Sequence, residues 1–240
     1  MNRLKRGYLR IYESLCGKIE KHFFRGLHCK HPNDYVLCFH DIADVESDIY
    51  SISEDEFYTV VHNINGTFIS LENALSSSNN GKDINRYILS FDDGYESVFL
   101  LAYPILKRLN IPFVCYIATD FIGANGYMSS TQLKCISNDP LCTIGSHMCS
   151  HQMTREMSNE LILHEWKSSK KILEGITNNN IEHAALPYGS RFACSRKSIR
   201  LALNLGYKSV ATTSAWPLTY KKQIIGRYVY RRNINMPYLK

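Results

Sequence analysis

Two carboxylates stand side by side in Asp92-Asp93-Gly94, and two histidines stand four apart at His147 and His151. One Asp with two His makes three protein ligands. That is the number a catalytic zinc site keeps while leaving a position for water. A bound ion lowers the pKa of water from ~15.7 to ~7. The unliganded Asp, with a reference pKa near ~3.9, is then ionised and free to take the proton. The set describes metal-assisted hydrolysis of an acyl group. It suits Zn2+ first, with Co2+, Ni2+ or Fe2+ as alternatives. Read alone, Asp-Asp-Gly is also a plain turn, and an isolated His pair is also structural. The two motifs carry the chemistry only together. Met148 follows His147, so the pair is not the zincin HExxH. Residues four apart on a helical turn share a face, which would bring the two imidazoles to one ion. Cys149 would point away from that face.

These residues need elements to hold them. Apolar runs at 35–40, 86–91, 112–118, 141–146, 182–186 and 208–213 read as buried strands, with a last strand near 227–231. Helical periodicity appears over 53–64, 95–109, 130–136, 158–176 and 195–205. Residues 76–82 form a polar loop. Strands alternating with helices predict parallel βαβ units. About seven strands in a chain of this length could close into a (β/α) barrel. Function in such folds gathers at the carboxyl ends of strands. Those ends carry Phe39-His40-Asp41, Asp92-Asp93-Gly94, Ser146-His147 and Pro187-Tyr188-Gly189.

Charge and composition limit the alternatives. The chain has 240 residues and a formal net charge of +6. Residues 1–31 carry Arg3, Lys5, Arg6, Arg10, Lys18, Lys21, Arg25 and Lys30 against Glu13 and Glu20, while the rest of the chain balances. A basic nucleic-acid face on the folded body is therefore not called for. Leu4, Tyr8, Ile11, Leu15 and Ile19 form one stripe. A stripe of this kind packs on a core with its basic residues toward solvent. The competing reading is contact with an anionic membrane surface. We divide the chain into a basic amphipathic segment, 1–31, and a barrel domain, 32–240. No run approaches the ~20 apolar residues of a membrane span. Eight cysteines without a CxxC, and no export signal, predict reduced thiols in the cytoplasm. No glycine-rich phosphate loop is present. Nothing in the sequence sets the oligomeric state.

Ser90-Phe91-Asp92-Asp93-Gly94, Ser146-His147-Met148-Cys149-Ser150-His151 and Ala184-Ala185-Leu186-Pro187-Tyr188-Gly189 resemble, in order and spacing, three motifs of the polysaccharide deacetylase (NodB-type) family. The resemblance runs over roughly residues 35–215. It implies a deformed (β/α) barrel, with Asp92 as catalytic base and Asp93, His147 and His151 as ligands of one divalent ion, zinc first. It implies the Tyr188 N–H as an oxyanion donor, and an acetylated sugar or glycan as substrate, with no nucleic acid partner. Ala184 and Ala185 stand where the third motif usually has an Arg that orients the base. No histidine follows His183, so the usual general acid is absent from its place. His40, at the end of the first strand as in some members, is expected to take that role, with Asp41 a weaker candidate to orient it. Pro187 and Trp216 are the expected substrate contacts, and Trp216 either stacks on a sugar ring or packs in the core. The expected reaction is removal of an acetyl or similar small acyl group. The alternatives are a catalytically silent carbohydrate-binding barrel, or the same chemistry on a lipid- or nucleotide-linked sugar.

Overall fold

The computed structural model describes residues 34–43, 48–76, 84–214 and 223–232. They lie in the second of two units, Asn33–Lys240. The expected helix over 1–31, most of the polar loop and Trp216 fall outside the described residues.

Strands β1 (Asp34–Phe39), β3 (Arg86–Phe91), β4 (Phe113–Ile117), β5 (Cys142–Ser146), β6 (His183–Ala185) and β7 (Ser209–Thr212) pair in parallel, in that order. β8 (Ile224–Gly226) pairs with β7, and β9 (Tyr228–Val229) pairs with β1, both parallel. Only Arg227 separates β8 from β9, so 224–229 acts as one stave and closes the ring at seven. The short β2 (Thr67–Phe68) lies off this path against the start of β3.

Strand residues alternate between two apolar clusters, as a period of two requires. Val36, Ile88, Val114, Tyr116, Ala185, Ala211 and Ile225 pack together as the inner cluster. Leu37, Phe39, Leu89, Phe91, Phe113, Cys115 and Ile117 belong to the larger cluster under the helices. Gly145 gives Tyr116 its room: a Cβ there would lie 2.5 Å from the Tyr116 ring.

The helices are α1 (Glu54–Asn63), α2 (Leu71–Ser76), α3 (Val98–Leu109), α4 (Ser130–Ser137), α5 (Asn159–Thr177) and α6 (Arg196–Asn204). Ser53, Ser129, Ser158 and Ser195 cap α1, α4, α5 and α6 by accepting from a first-turn N–H. α3 opens with a π turn, Val98–Ala102. Pro104 lacks the N–H that would bond back to Leu100, and the turn widens there. Among the described residues no helix is long and apolar enough to cross a membrane.

Two short elements, β2 and α2, were not expected from the sequence. The last strand begins three residues earlier than predicted, at Ile224.

Candidate active site

Asp92 and Asp93 follow β3 and differ in their closest partners, although His147 Nε2 lies near both, 3.7 Å from Asp92 Oδ2 and 3.4 Å from Asp93 Oδ1. Asp93 (φ 70°) and Gly94 (φ 88°) are both left-handed, and the Gly94 N–H donates to the Asp92 carbonyl at 2.9 Å. This sharp turn lets consecutive carboxylates serve one site. Glycine takes such a backbone without strain.

Asp93 faces the histidines. Its Oδ1 lies 3.0 Å from His151 Nε2 and 3.4 Å from His147 Nε2. That oxygen is buried with no hydrogen-bond partner among the described residues. The three atoms converge as ligands of one ion would. His147 Nδ1 lies 2.9 Å from the Ala185 carbonyl. A carbonyl only accepts, so Nδ1 carries the hydrogen and Nε2 offers its lone pair to the site. These donors fit a divalent cation of the zinc type. Burial alone would raise the Asp93 carboxyl, but His151 and then His147 hold it well below the usual carboxylate range.

The two histidines are not on a helical turn, as their spacing had suggested. Residues 147–151 form a loop in which Met148 (φ 63°) and His151 (φ 51°) are left-handed, and the rings meet at 5.0 Å. The loop is held from α5. The buried Glu165 accepts from the N–H groups of Cys149 and Ser150 through Oε2, at 2.8 and 2.9 Å. Cys149 turns its thiol to the Glu165 carbonyl, away from the histidines.

Asp92 has a different environment. Arg227 donates from Nη1 to Oδ1 at 2.6 Å and from Nη2 to Oδ2 at 2.7 Å. The guanidinium is fully buried, with Nη1 also 3.4 Å from Ser90 Oγ and Cζ 5.2 Å from the Tyr116 ring centroid. Burial would raise the Asp92 carboxyl; Arg227, then His147, bring it below the usual value. Burial pushes His147 down, but Asp92 and Asp93 hold it above the usual imidazole value.

His40 follows β1, is half-buried, and lies in one group with Asp92 and Cys38. Its Nδ1 is buried with no hydrogen-bond partner among the described residues. Its ring sits 5.3 Å from that of Tyr50, over which the Arg231 guanidinium lies at 5.4 Å. Burial lowers its pKa, outweighing the pull of Asp93 and Asp92. Asp41 does not orient it. Asp41 Oδ1 instead accepts from Ser97 Oγ at 2.6 Å, and Ser97 Oγ accepts from the Ile42 N–H.

Tyr188 is left-handed (φ 63°), with its ring 4.8 Å from His151 and its carbonyl accepting from Thr213 Oγ1. Pro187 lies buried beside it, its carbonyl accepting from the Cys194 thiol at 3.5 Å.

The structure therefore brings Asp92, Asp93, His147, His151, His40 and Tyr188 to one end of the barrel. Sequence reasoning missed Arg227 and Glu165. The signal for Arg227 was faint: it stands at the start of the last predicted strand, and in the structure it continues the inward period of Ile225 and points into the ring.

A parallel ring with Asp, His-x3-His and Tyr motifs at the carboxyl ends of its strands places the chain among (β/α) barrels with a candidate metal site. The chain belongs to the polysaccharide deacetylase family, whose model matches residues 79–210. It is 24% identical over 174 residues to the poly-beta-1,6-N-acetyl-D-glucosamine N-deacetylase of Staphylococcus aureus, a match covering 65% of this chain and 59% of that protein. The chain thus spans about three fifths of the length of the curated relatives it matches first. Among solved structures, IcaB from Ammonifex degensii superposes with a TM-score of 0.73 at 20% identity, covering 87% of this chain and 94% of that one. The Streptococcus pyogenes deacetylase PplD gives 0.76 at 20% identity, covering 88% and 97%. At that identity the two structures speak for the fold.

Proposed function

We propose that the protein is a metal-dependent hydrolase that removes acetyl groups from the amino sugars of a polysaccharide. The observation that carries this reading is the division of labour between adjacent carboxylates. Asp93 converges with His147 and His151, while Asp92 takes both its short hydrogen bonds from Arg227, with His147 Nε2 further off at 3.7 Å, and keeps its negative charge. A protein that only bound sugar would have no use for that division. The family supports the reaction class, and the name of the Staphylococcus aureus relative supports an N-acetylated glucosamine polymer as the substrate class.

Asp93, His147 and His151 would hold the ion, with zinc our choice. When bound, it supplies the positive charge that acidifies a water and polarises the acyl carbonyl. Asp92, ionised and fixed by Arg227, takes a proton from the attacking water at a carboxylate oxygen. The Tyr188 N–H donates to the developing oxyanion; such preorganised donors contribute about 3–4 kcal/mol each. Burial lowers the His40 pKa, and His40, whose ring nitrogen lies within 4.8 Å of an Asp92 oxygen, receives the water's proton from Asp92 and gives it to the leaving amine. Acetate and the free amine are the products.

The test is acetate release from N-acetylglucosamine polymers by the full chain, paired with elemental analysis. We expect one tightly held divalent ion and loss of activity in Asp93→Ala. A wild-type protein that holds no ion, or equal turnover in Asp93→Ala, would overturn the proposal.

A further inference from the structure

A second group of ligands lies next to the first and contains a thiol. Cys38, His40 and Asp92 each offer one atom, all within 4.8 Å of one another. Their closeness follows from register. Cys38 lies on β1 and His40 is the first residue past its end, two positions on and so on the same face where the extended chain continues. Cys38 is level with Ser90, and Phe39 with Phe91, which brings His40 level with Asp92 one step on. Cys38 is fully buried and Asp92 nearly so. His40 Nδ1 is a buried polar atom with no partner among the described residues, and such atoms are rare in folded proteins.

We infer that Cys38, His40 and Asp92 form a second cation site, selective for thiophilic divalent ions, whose occupation switches the enzyme off. The donor set is one sulfur, one imidazole nitrogen and one carboxylate oxygen, which suits Zn2+, Cd2+ or Co2+ and not Mg2+ or Ca2+. Arg227 leaves room for it: a carboxylate has about four lone-pair positions, and the guanidinium uses two. Loading breaks the Cys38 S–H bond, forms a sulfur–metal bond and releases one proton to solvent. The buried thiol resists that ionisation, and both Arg227 and an ion on Asp93 repel a second cation. This site therefore fills after the first and only at excess metal. The inhibitory part rests on the proposed deacetylase reading, because the second ion would occupy its base and its acid. The binding part does not.

Cobalt titration of the full chain separates the two. Asp93, His147 and His151 contain no sulfur, so the first equivalent should give no thiolate-to-cobalt charge-transfer band in the near ultraviolet. The second should bring that band, together with at least a tenfold loss of acetate release. Cys38→Ser and Cys38→Ala should each bind one equivalent, lack the band and resist excess Zn2+, while keeping basal activity. No band in the wild type, or a band persisting in either Cys38 variant, would overturn the site. A band that vanishes in the variants of a protein inactive on every acetylated glycan would uphold the site and sink the deacetylase reading.

Discussion

Arg227 grips Asp92 through both carboxylate oxygens, at 2.6 and 2.7 Å, although 135 residues separate them in the chain. The third motif, with Ala184 and Ala185, offers this carboxylate no guanidinium. Arg227 reaches it from the stave that closes the ring. Two parallel charge-assisted hydrogen bonds fix the plane of the carboxylate as well as its charge.

Arg227→Lys keeps the charge and loses the fork. The variant should fold, with kcat down about tenfold to a hundredfold and KM little changed, at or below the lower end of the ~10²–10⁴ that a positioned base contributes, because the base itself is kept. Arg227→Ala should cost about 3–5 kcal/mol of stability, because Asp92 is left buried and uncompensated. Steady-state kinetics and urea unfolding of the two variants measure this. An Arg227→Lys enzyme with wild-type kcat would remove the fork from the mechanism.

Glu165 should control ion affinity without touching the ion. Glu165→Ala leaves the N–H groups of Cys149 and Ser150 without their acceptor, at about 1–3 kcal/mol each. The loop carrying both histidines then loosens. The outcome to look for is a metal affinity weaker by about 10–100-fold, the range typical of supporting residues around metal ligands. Competition with a chelator reads it directly, and unchanged affinity would show that the loop holds itself.

His40→Ala separates ion binding from turnover. Metal content should stay at the wild-type level while kcat falls by about 10²–10⁴, the usual contribution of a general acid. Near wild-type turnover in this variant would take His40 out of the reaction.

At the opposite end of the ring, Glu72 on α2 gives a pH signature to stability. Its Oε1 lies 3.5 Å from His183 Nε2 and accepts from Thr143 Oγ1 at 3.0 Å. Partial burial would raise the carboxyl, but His183, the residue's own backbone N–H and Thr143 together outweigh it and the pKa falls to about 2. A carboxyl depressed in the folded state stabilises above its unfolded pKa and loses that contribution as pH falls through the folded value. The stability gap between wild type and Glu72→Gln should be full above about pH 5 and close as the pH approaches 2. Urea midpoints at several pH values would show it. A gap that did not vary with pH would mean that Glu72 acts through packing alone.

Much of this was readable from residue order, and the limits have physical causes. β3 announced itself because an apolar run ends abruptly in Asp-Asp-Gly, a pattern set by neighbours in the chain. The histidine pair was visible by spacing, but its geometry was not. A separation of four fits a helical turn and equally a loop with two left-handed residues, and the choice depends on Glu165, which lies on α5. Glu165 sits on a helix whose buried side also carries Ile162, Trp166 and Leu173. Nothing local distinguishes a buried acid that satisfies two distant N–H groups from a solvated one. Arg227 is harder still. A charged residue near a chain end reads as exposed, and only the closed ring shows that it points inward. β2 and α2 are too short for periodicity to declare them.

The seventh stave, 224–229, has one more consequence. Ribosomes deliver the chain from its N-terminus, so Asp92, Asp93, His147 and His151 are all made well before Arg227. An ion site could assemble on a nascent barrel that still has a gap between β7 and β1, but its base would be unaligned. The segment that seals the ring also arms the carboxylate. On the proposed reading, chains that stop short of residue 223 would lack the guanidinium that aligns Asp92, and activity would report a sealed ring.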